Sequence, residues 1–193
     1  MKSIVVCIFG VVLATGFSQG QTAEIAGSDR SETKAEIHWM SFEEAFRENK
    51  KNPKKWIIDI STEWCGWCKR MDATTFSDSL IIDYINNHYY AVALDGEEKE
   101  TIDLGGQQFN FVPSGKRGYH ELAAQLMGGQ MSYPTIVFLN ENVESLSVLP
   151  GFKSSEDLMP ILHFFQVFDP VSNPIKWDHF RSNEYESPYA PAE

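Results

Sequence analysis

The sequence predicts an α/β protein, a central mixed β-sheet flanked by helices on both faces. Three observations predict it. Short apolar runs suited to strands occur at Trp56 to Ile60, Tyr90 to Leu94, Thr135 to Leu139 and Ser145 to Leu149. Segments with apolar residues at helical spacing lie between and after them, which calls for helices over both faces of a sheet. Cys65 and Cys68 stand three positions apart, where the first of these runs gives way to a helix-like segment.

At 193 residues the chain is one ordinary domain with extensions, long enough to bury a core. Its formal charge of −11 argues against nucleic acid and against anionic membrane surfaces as partners. Residues 1–20 read as a secretory signal peptide. Lys2 is a minimal positive start, Ile4 to Ala14 is an apolar run too short to span a bilayer, and Ser18 and Gly20 are the small residues before a cut near Gly20. An uncleaved anchor is the alternative. Cys7 lies in that run and is expected to leave with it. Residues 21–35 are polar without an apolar period, a flexible linker. The domain itself, residues 36–168, is then expected in the periplasm or outside the cell, where dithiol chemistry matters.

Ile37 to Met40 alternate as a first short strand. Ser41 and Glu44 form a capping box for a helix with Phe42, Ala45 and Phe46 on one face, stopped at Asn52-Pro53. The lysines at 50, 51, 54 and 55 read as a solvated helix end. Residues 56–61 suit a central strand covered on both faces. A helix from the cysteine motif passes Met71 and loosens at Thr74-Thr75. Ser77 is placed as the cap of the next helix, Asp78 to Asn87, and residues 90–94 as the strand after it. Gly96 to Gly118 reads as an insertion and a candidate specificity element, with Glu97 to Glu100 a solvated run inside it. Tyr119 to Met127 is expected as a helix ended by Gly128. Asn140-Glu141-Asn142 signals a hairpin between strands 135–139 and 145–149. Ser154 or Ser155 caps a last helix reaching Phe168, in which Pro160 marks a first turn or a kink. Residues 169–193, with four prolines and no period, are expected as an extended tail.

The stretch Trp64-Cys65-Gly66-Trp67-Cys68-Lys69 is where chemistry is expected. A two-residue spacer lets both sulfurs meet in a loop that opens and closes at modest cost. The N-terminus of a helix offers unpaired N–H groups and the positive end of its dipole, which stabilise a thiolate. Free cysteine titrates near 8.5, and in such motifs the value falls to roughly 3.5–7.5. Cys65 therefore reads as the exposed nucleophile and Cys68, one turn deeper, as the resolving thiol. Other readings stay open. A zinc site needs four ligands, but Cys65 and Cys68 are the only cysteines beyond Cys7, and the five histidines lack paired spacing, so no metal is expected. A purely structural disulfide across so short a loop removes little chain entropy. Two idle core cysteines sit poorly in a stretch without apolar periodicity. Asp59 is the odd residue of its apolar run. It reads as a buried acid with a raised pKa that relays the proton of Cys68, the alternative being a surface carboxylate on a half-exposed strand.

In this order these features resemble the thioredoxin superfamily. Trp64 to Lys69 matches its redox box. Asp59, six residues before Cys65, falls where thioredoxins carry a buried acid, and Pro134 where they carry a cis-proline facing the disulfide. The resemblance covers residues 37–168 and implies a thioredoxin-like fold in which Tyr133, just before the proline, offers its backbone to a substrate chain. Two departures bear on redox direction. The spacer is Gly66-Trp67 rather than Gly-Pro, closer to thioredoxin-like domains of exported proteins. The lysine that thioredoxins place on the next strand, near the acid, is expected to be replaced by Ala91 or a neighbour.

The expected function is that of a secreted or periplasmic thiol-disulfide oxidoreductase reducing protein disulfides. Cys65 is the nucleophile, Cys68 the resolving thiol and Asp59 the proton relay, with Trp64, Trp67, Tyr133 and Pro134 binding substrate. No cofactor is expected beyond the redox-active Cys65–Cys68 disulfide. The expected partners are disulfide-containing proteins and a membrane-bound electron donor, since an exported dithiol has no cytosolic pool to draw on. The chain is expected to be a monomer. The alternatives are a disulfide oxidase or isomerase using the same residues, or a non-catalytic binding module on the same fold.

Overall fold

The structure, a computed structural model, describes residues 35–170 and 173–189. The expected signal peptide, the linker up to residue 34 and the last four residues lie outside these. The strand β1 (Trp39–Met40) leads into α1 (Phe42–Asn49), which Ser41 caps by accepting the Glu44 N–H at 3.1 Å. The next strand, β2 (Lys55–Ser61), is buried up to Ile60 and delivers the chain to α2 (Gly66–Thr74). Asp78, not Ser77, caps α3 (Ser79–His88). Its carboxylate accepts from both Leu80 and Ile81, while the Ser77 hydroxyl donates back to the carbonyls of Ala73 and Thr74.

After β3 (Tyr89–Asp95) the expected insertion folds into two small hairpins. The first pairs β4 (Ile102–Asp103) with β5 (Gln108–Phe109), and the second pairs β6 (Phe111–Ser114) with β7 (Arg117–His120). Tyr119 and His120, expected in a helix, instead pair with Val112 and Phe111, so α4 is only Glu121–Leu126. Gly118 sits opposite Pro113 at φ +144°, where a Cβ would strike the Phe111 ring. The hairpin of β8 (Thr135–Leu139) and β9 (Ser145–Pro150) follows. Then comes α5 (Ser155–Val167), capped by Ser154, with the buried Pro160 in its second turn. The stretch expected as an extended tail holds a further helix, α6 (Trp177–Asn183). Its Phe180 is buried against Phe164, 5.4 Å between ring centroids, and this gives the segment an apolar reason to order.

The main sheet runs β1-β3-β2-β8-β9, with the first three strands parallel and the last two antiparallel. Registry puts Ile57, Ala91, Ile136 and Phe138 on one face, where they pack with Met71, Ile81, Ile85, Leu158 and Leu162 from α2, α3 and α5. Ile58, Val92, Val137 and Leu139 point the other way, to Phe42 and Ala45 of α1 and Leu122 and Ala123 of α4. Asp59 shares the first face, so its carboxyl lies on the side that α2 covers.

One lysine departs from the solvated helix end expected of it. Lys55 is buried, and its ammonium donates to the carbonyls of Phe165 (2.9 Å), Gln166 (3.1 Å) and Phe168, closing the C-terminus of α5.

Candidate active site

The turn out of β2 closes with the Cys65 N–H donating to the Thr62 carbonyl at 3.0 Å. Cys65 is extended and is itself the N-cap of α2, its Sγ accepting the Cys68 N–H at 3.1 Å. Cys65 and Cys68 form a disulfide, S–S 2.08 Å. The expected exposure of Cys65 is not present in this bonded state. It is 5% exposed against 2% for Cys68, because its sulfur is turned onto the helix N-terminus while the flanking indoles take the surface.

Asp59 is buried beneath this helix, and its Oδ1 has no hydrogen-bond partner among the described residues. Burial, and then the charge of Asp72 on α2, pushes its carboxyl up to about 7. Asp72 is itself raised by partial burial. Registry pairs Asp59 with Ala93 on β3, while Ala91 pairs with Ile57. Ala93 is therefore the neighbour that stands beside the acid where the resemblance led one to look for a lysine.

Two aromatic walls rise around the disulfide. Trp64 and Trp67 are 51% and 58% exposed, unusual for side chains of this size. Trp64 is nevertheless fixed on three sides. Its Nε1–H donates to Glu97 Oε1 at 3.1 Å, the Arg117 guanidinium lies 4.1 Å from its ring, and Tyr133 meets it edge-on at 5.8 Å. Tyr133 precedes Pro134 through a cis peptide bond, and Pro134 in turn accepts the Gly151 N–H at 2.8 Å. The Tyr133 phenol is pushed up to about 12 by burial and then by the charges of Glu97 and Asp95. Its ring lies against Gly96, where any Cβ would collide with it. Trp67 packs on Phe152 at 5.7 Å, and Arg70 lies 5.6 Å from the Trp67 ring.

The structure thus sets Tyr133, from the turn before β8, against Trp64 beside the disulfide, and places Asp59 of β2 on the face that α2 covers. The sequence reading missed Glu97, Arg117, Arg70 and Phe152. Glu97 sat in a charge run that reads as solvated, and nothing in residue spacing signals that a hairpin fold returns Arg117 to Trp64. Among the described residues no group of His, Cys, Asp and Glu is placed to hold a metal ion.

Comparison with known proteins bears on the family and the fold. The thioredoxin-like domain family matches residues 42–166. The thiol:disulfide interchange protein DsbD of Campylobacter jejuni is 28% identical over 121 residues, 62% of this chain but only 18% of that protein. The chain thus spans less than a fifth of the curated relatives it matches. In fold, it is similar to a thioredoxin from Thermus thermophilus, with TM-score 0.52 and 18% identity over 68% of this chain and 88% of that one. It is likewise similar to the DsbH oxidoreductase, with TM-score 0.50 and 18% identity over 80% of this chain and 96% of the other. With the match extending over most of the described residues, the chain belongs to the thioredoxin-like domain family.

Proposed function

We propose that this protein is an exported thiol-disulfide oxidoreductase that reduces protein disulfides. The observation that supports it most is the cysteine pair at the start of α2 above a buried carboxyl, Asp59, that has no hydrogen-bond partner at Oδ1 among the described residues and is pushed up to about 7 by burial. In the reduced chain the Cys65 thiolate attacks one sulfur of a substrate disulfide. A mixed disulfide forms, and the first substrate thiolate leaves and takes up a proton. Cys68 gives its proton to Asp59, and the resulting thiolate attacks Cys65 Sγ. The second substrate thiolate leaves with the proton that Asp59 held. Two electrons and two protons reach the substrate, and the chain is left as the disulfide seen here. Tyr133 and Pro134 hold the substrate backbone, while Trp64 and Trp67 give its apolar side chains a dry surface.

Return to the dithiol needs a second dithiol protein as reductant. The apolar N-terminal run supports export, and an exported site draws its electrons from a membrane-bound reductase. The relationship to a thiol:disulfide interchange protein supports this reading.

Two measurements test it. Cys68→Ser leaves the attacking sulfur without a resolving partner, so it is expected to accumulate mixed disulfides that DTT releases. Recovering none from cells would count against catalysis. Equilibration with glutathione is expected to give a potential near −270 mV. A value of about −120 to −180 mV would assign the same residues to an oxidase or isomerase instead.

A further inference from the structure

We propose that Arg70 and Arg117 form a carboxylate clamp, one on each tryptophan of the redox motif, that selects substrate segments carrying acidic residues beside their cystine. The proposal rests on the oxidoreductase reading and adds the substrate class. Arg117 lies over Trp64 at 4.1 Å and Arg70 over Trp67 at 5.6 Å and Phe152 at 5.9 Å. A guanidinium attracted to an aromatic face engages the ring with its charge and keeps its N–H donors for other partners.

Those donors are unspent. Among the described residues neither guanidinium makes a hydrogen bond. Among the same residues Arg70 has no ion pair, and Arg117 has a single contact, to Glu97 at 4.0 Å. So little pairing is unexpected in a chain with 27 acids and 16 basic residues, where carboxylates are in surplus. Arg117 is half exposed and comes from the β6–β7 hairpin, an addition to the sheet whose observed contact with the motif is this stack.

Apart from the 4.0 Å contact of Glu97 with Arg117, the acids nearby are engaged elsewhere. Glu97 accepts the Trp64 indole N–H, Asp95 accepts the Glu97 N–H, and Glu98 accepts from Lys99 and Glu100. With Glu63, Trp64, Lys69 and Lys99 these three acids line a cleft of about 490 Å³ that shares Trp64 with the clamp but is lined by neither cysteine and neither arginine. A guanidinium whose N–H groups make no hydrogen bond among the described residues has room for a carboxylate to bind it in bidentate fashion.

The test uses disulfide-bonded peptides identical except for Glu, Gln or Lys on both sides of the cystine. Their reduction by the reduced mature chain is followed at low and high salt. The Glu peptide is expected to exceed the Lys peptide in kcat/KM by about tenfold at low salt, and the ratio should shrink as salt screens it. In Arg70→Glu/Arg117→Glu the order is expected to invert in favour of Lys, which a merely damaged site would not do. Equal rates for all peptides, or a Glu preference that survives charge reversal, would overturn the clamp. Binding of the oxidised chain to the same peptides with Ser in place of Cys, read by tryptophan fluorescence, separates the two proposals. If no peptide is reduced, the oxidoreductase reading fails while a Glu-over-Lys binding preference still supports the clamp, and its absence removes it.

Discussion

Asp59 is a carboxyl in a strand of isoleucines, and the energetic cost of that placement sets two measurable properties in opposite directions. Its usual value of 3.8 is raised to about 7 in the folded chain. Between these values the folded state holds the proton more tightly than the unfolded one, so stability is greatest below about pH 4 and falls as pH rises through 7. The full difference is about 4 kcal/mol. Asp59→Asn removes it, so the urea midpoint of the oxidised variant is expected to exceed that of wild type at pH 8 and to vary little from pH 5 to 8. The same change removes the acceptor for the Cys68 proton, so disulfide exchange at pH 7 is expected to fall on the order of 10²-fold. A residue that only supported the fold would lower both. A variant less stable than wild type at pH 8, or one exchanging at the wild-type rate, would remove Asp59 from the mechanism. This acid was legible in the sequence because a lone carboxylate interrupts an apolar run. Its neighbour was not, because only the strand registry places Ala93 rather than Ala91 beside it.

At the scale of elements, local signals located most strands and helices, missed the cap of α3 by one residue, and failed more widely where a long-range partner decides the outcome. Ser41 caps its helix as its spacing predicts, and of the two candidates Ser154 and Ser155 it is Ser154 that caps α5, since capping is settled within four residues. Lys55 and the 96–118 stretch were misjudged or left undecided because their partners are distant in sequence. Lys55 reaches across more than a hundred residues to α5. Its three ammonium protons meet three carbonyls that the end of a helix leaves without intrahelical donors. Burial lowers its pKa, and the charges of Glu141 and Asp169 pull it back. Lys55→Met keeps the apolar stem and deletes the donors, so those carbonyls lose their partner out of water. The expected loss is about 3 kcal/mol, read as a lower urea midpoint at unchanged slope. An unchanged midpoint would show that α5 ends as well without the lysine.

Across the whole molecule, the site occupies one end of the sheet while the C-terminal segment holds the helical layer on the first face together. Phe180 of α6 is buried against Phe164 of α5, and Trp177 meets the same ring edge-on at 5.2 Å. Further on, Tyr185 meets His163 of α5 at 5.4 Å, and the Tyr189 hydroxyl donates to Asp78, the cap of α3, at 3.1 Å. The segment therefore straps α5 to α3, the two helices whose apolar faces cover Ile57 and Phe138. Sequence reading could not see this, because a stretch broken by prolines shows no period even when single aromatics find pockets. Phe180→Ala is expected to cost about 3–4 kcal/mol through lost burial and the cavity left behind. None of these contacts includes a cysteine, Asp59, Trp64 or Tyr133, so exchange rates measured well below the denaturation midpoint are expected to stay at the wild-type level. A loss of exchange without a loss of stability would mean that the strap acts on the site. A midpoint equal to wild type would mean that the aromatic contacts of α6 contribute nothing to the fold.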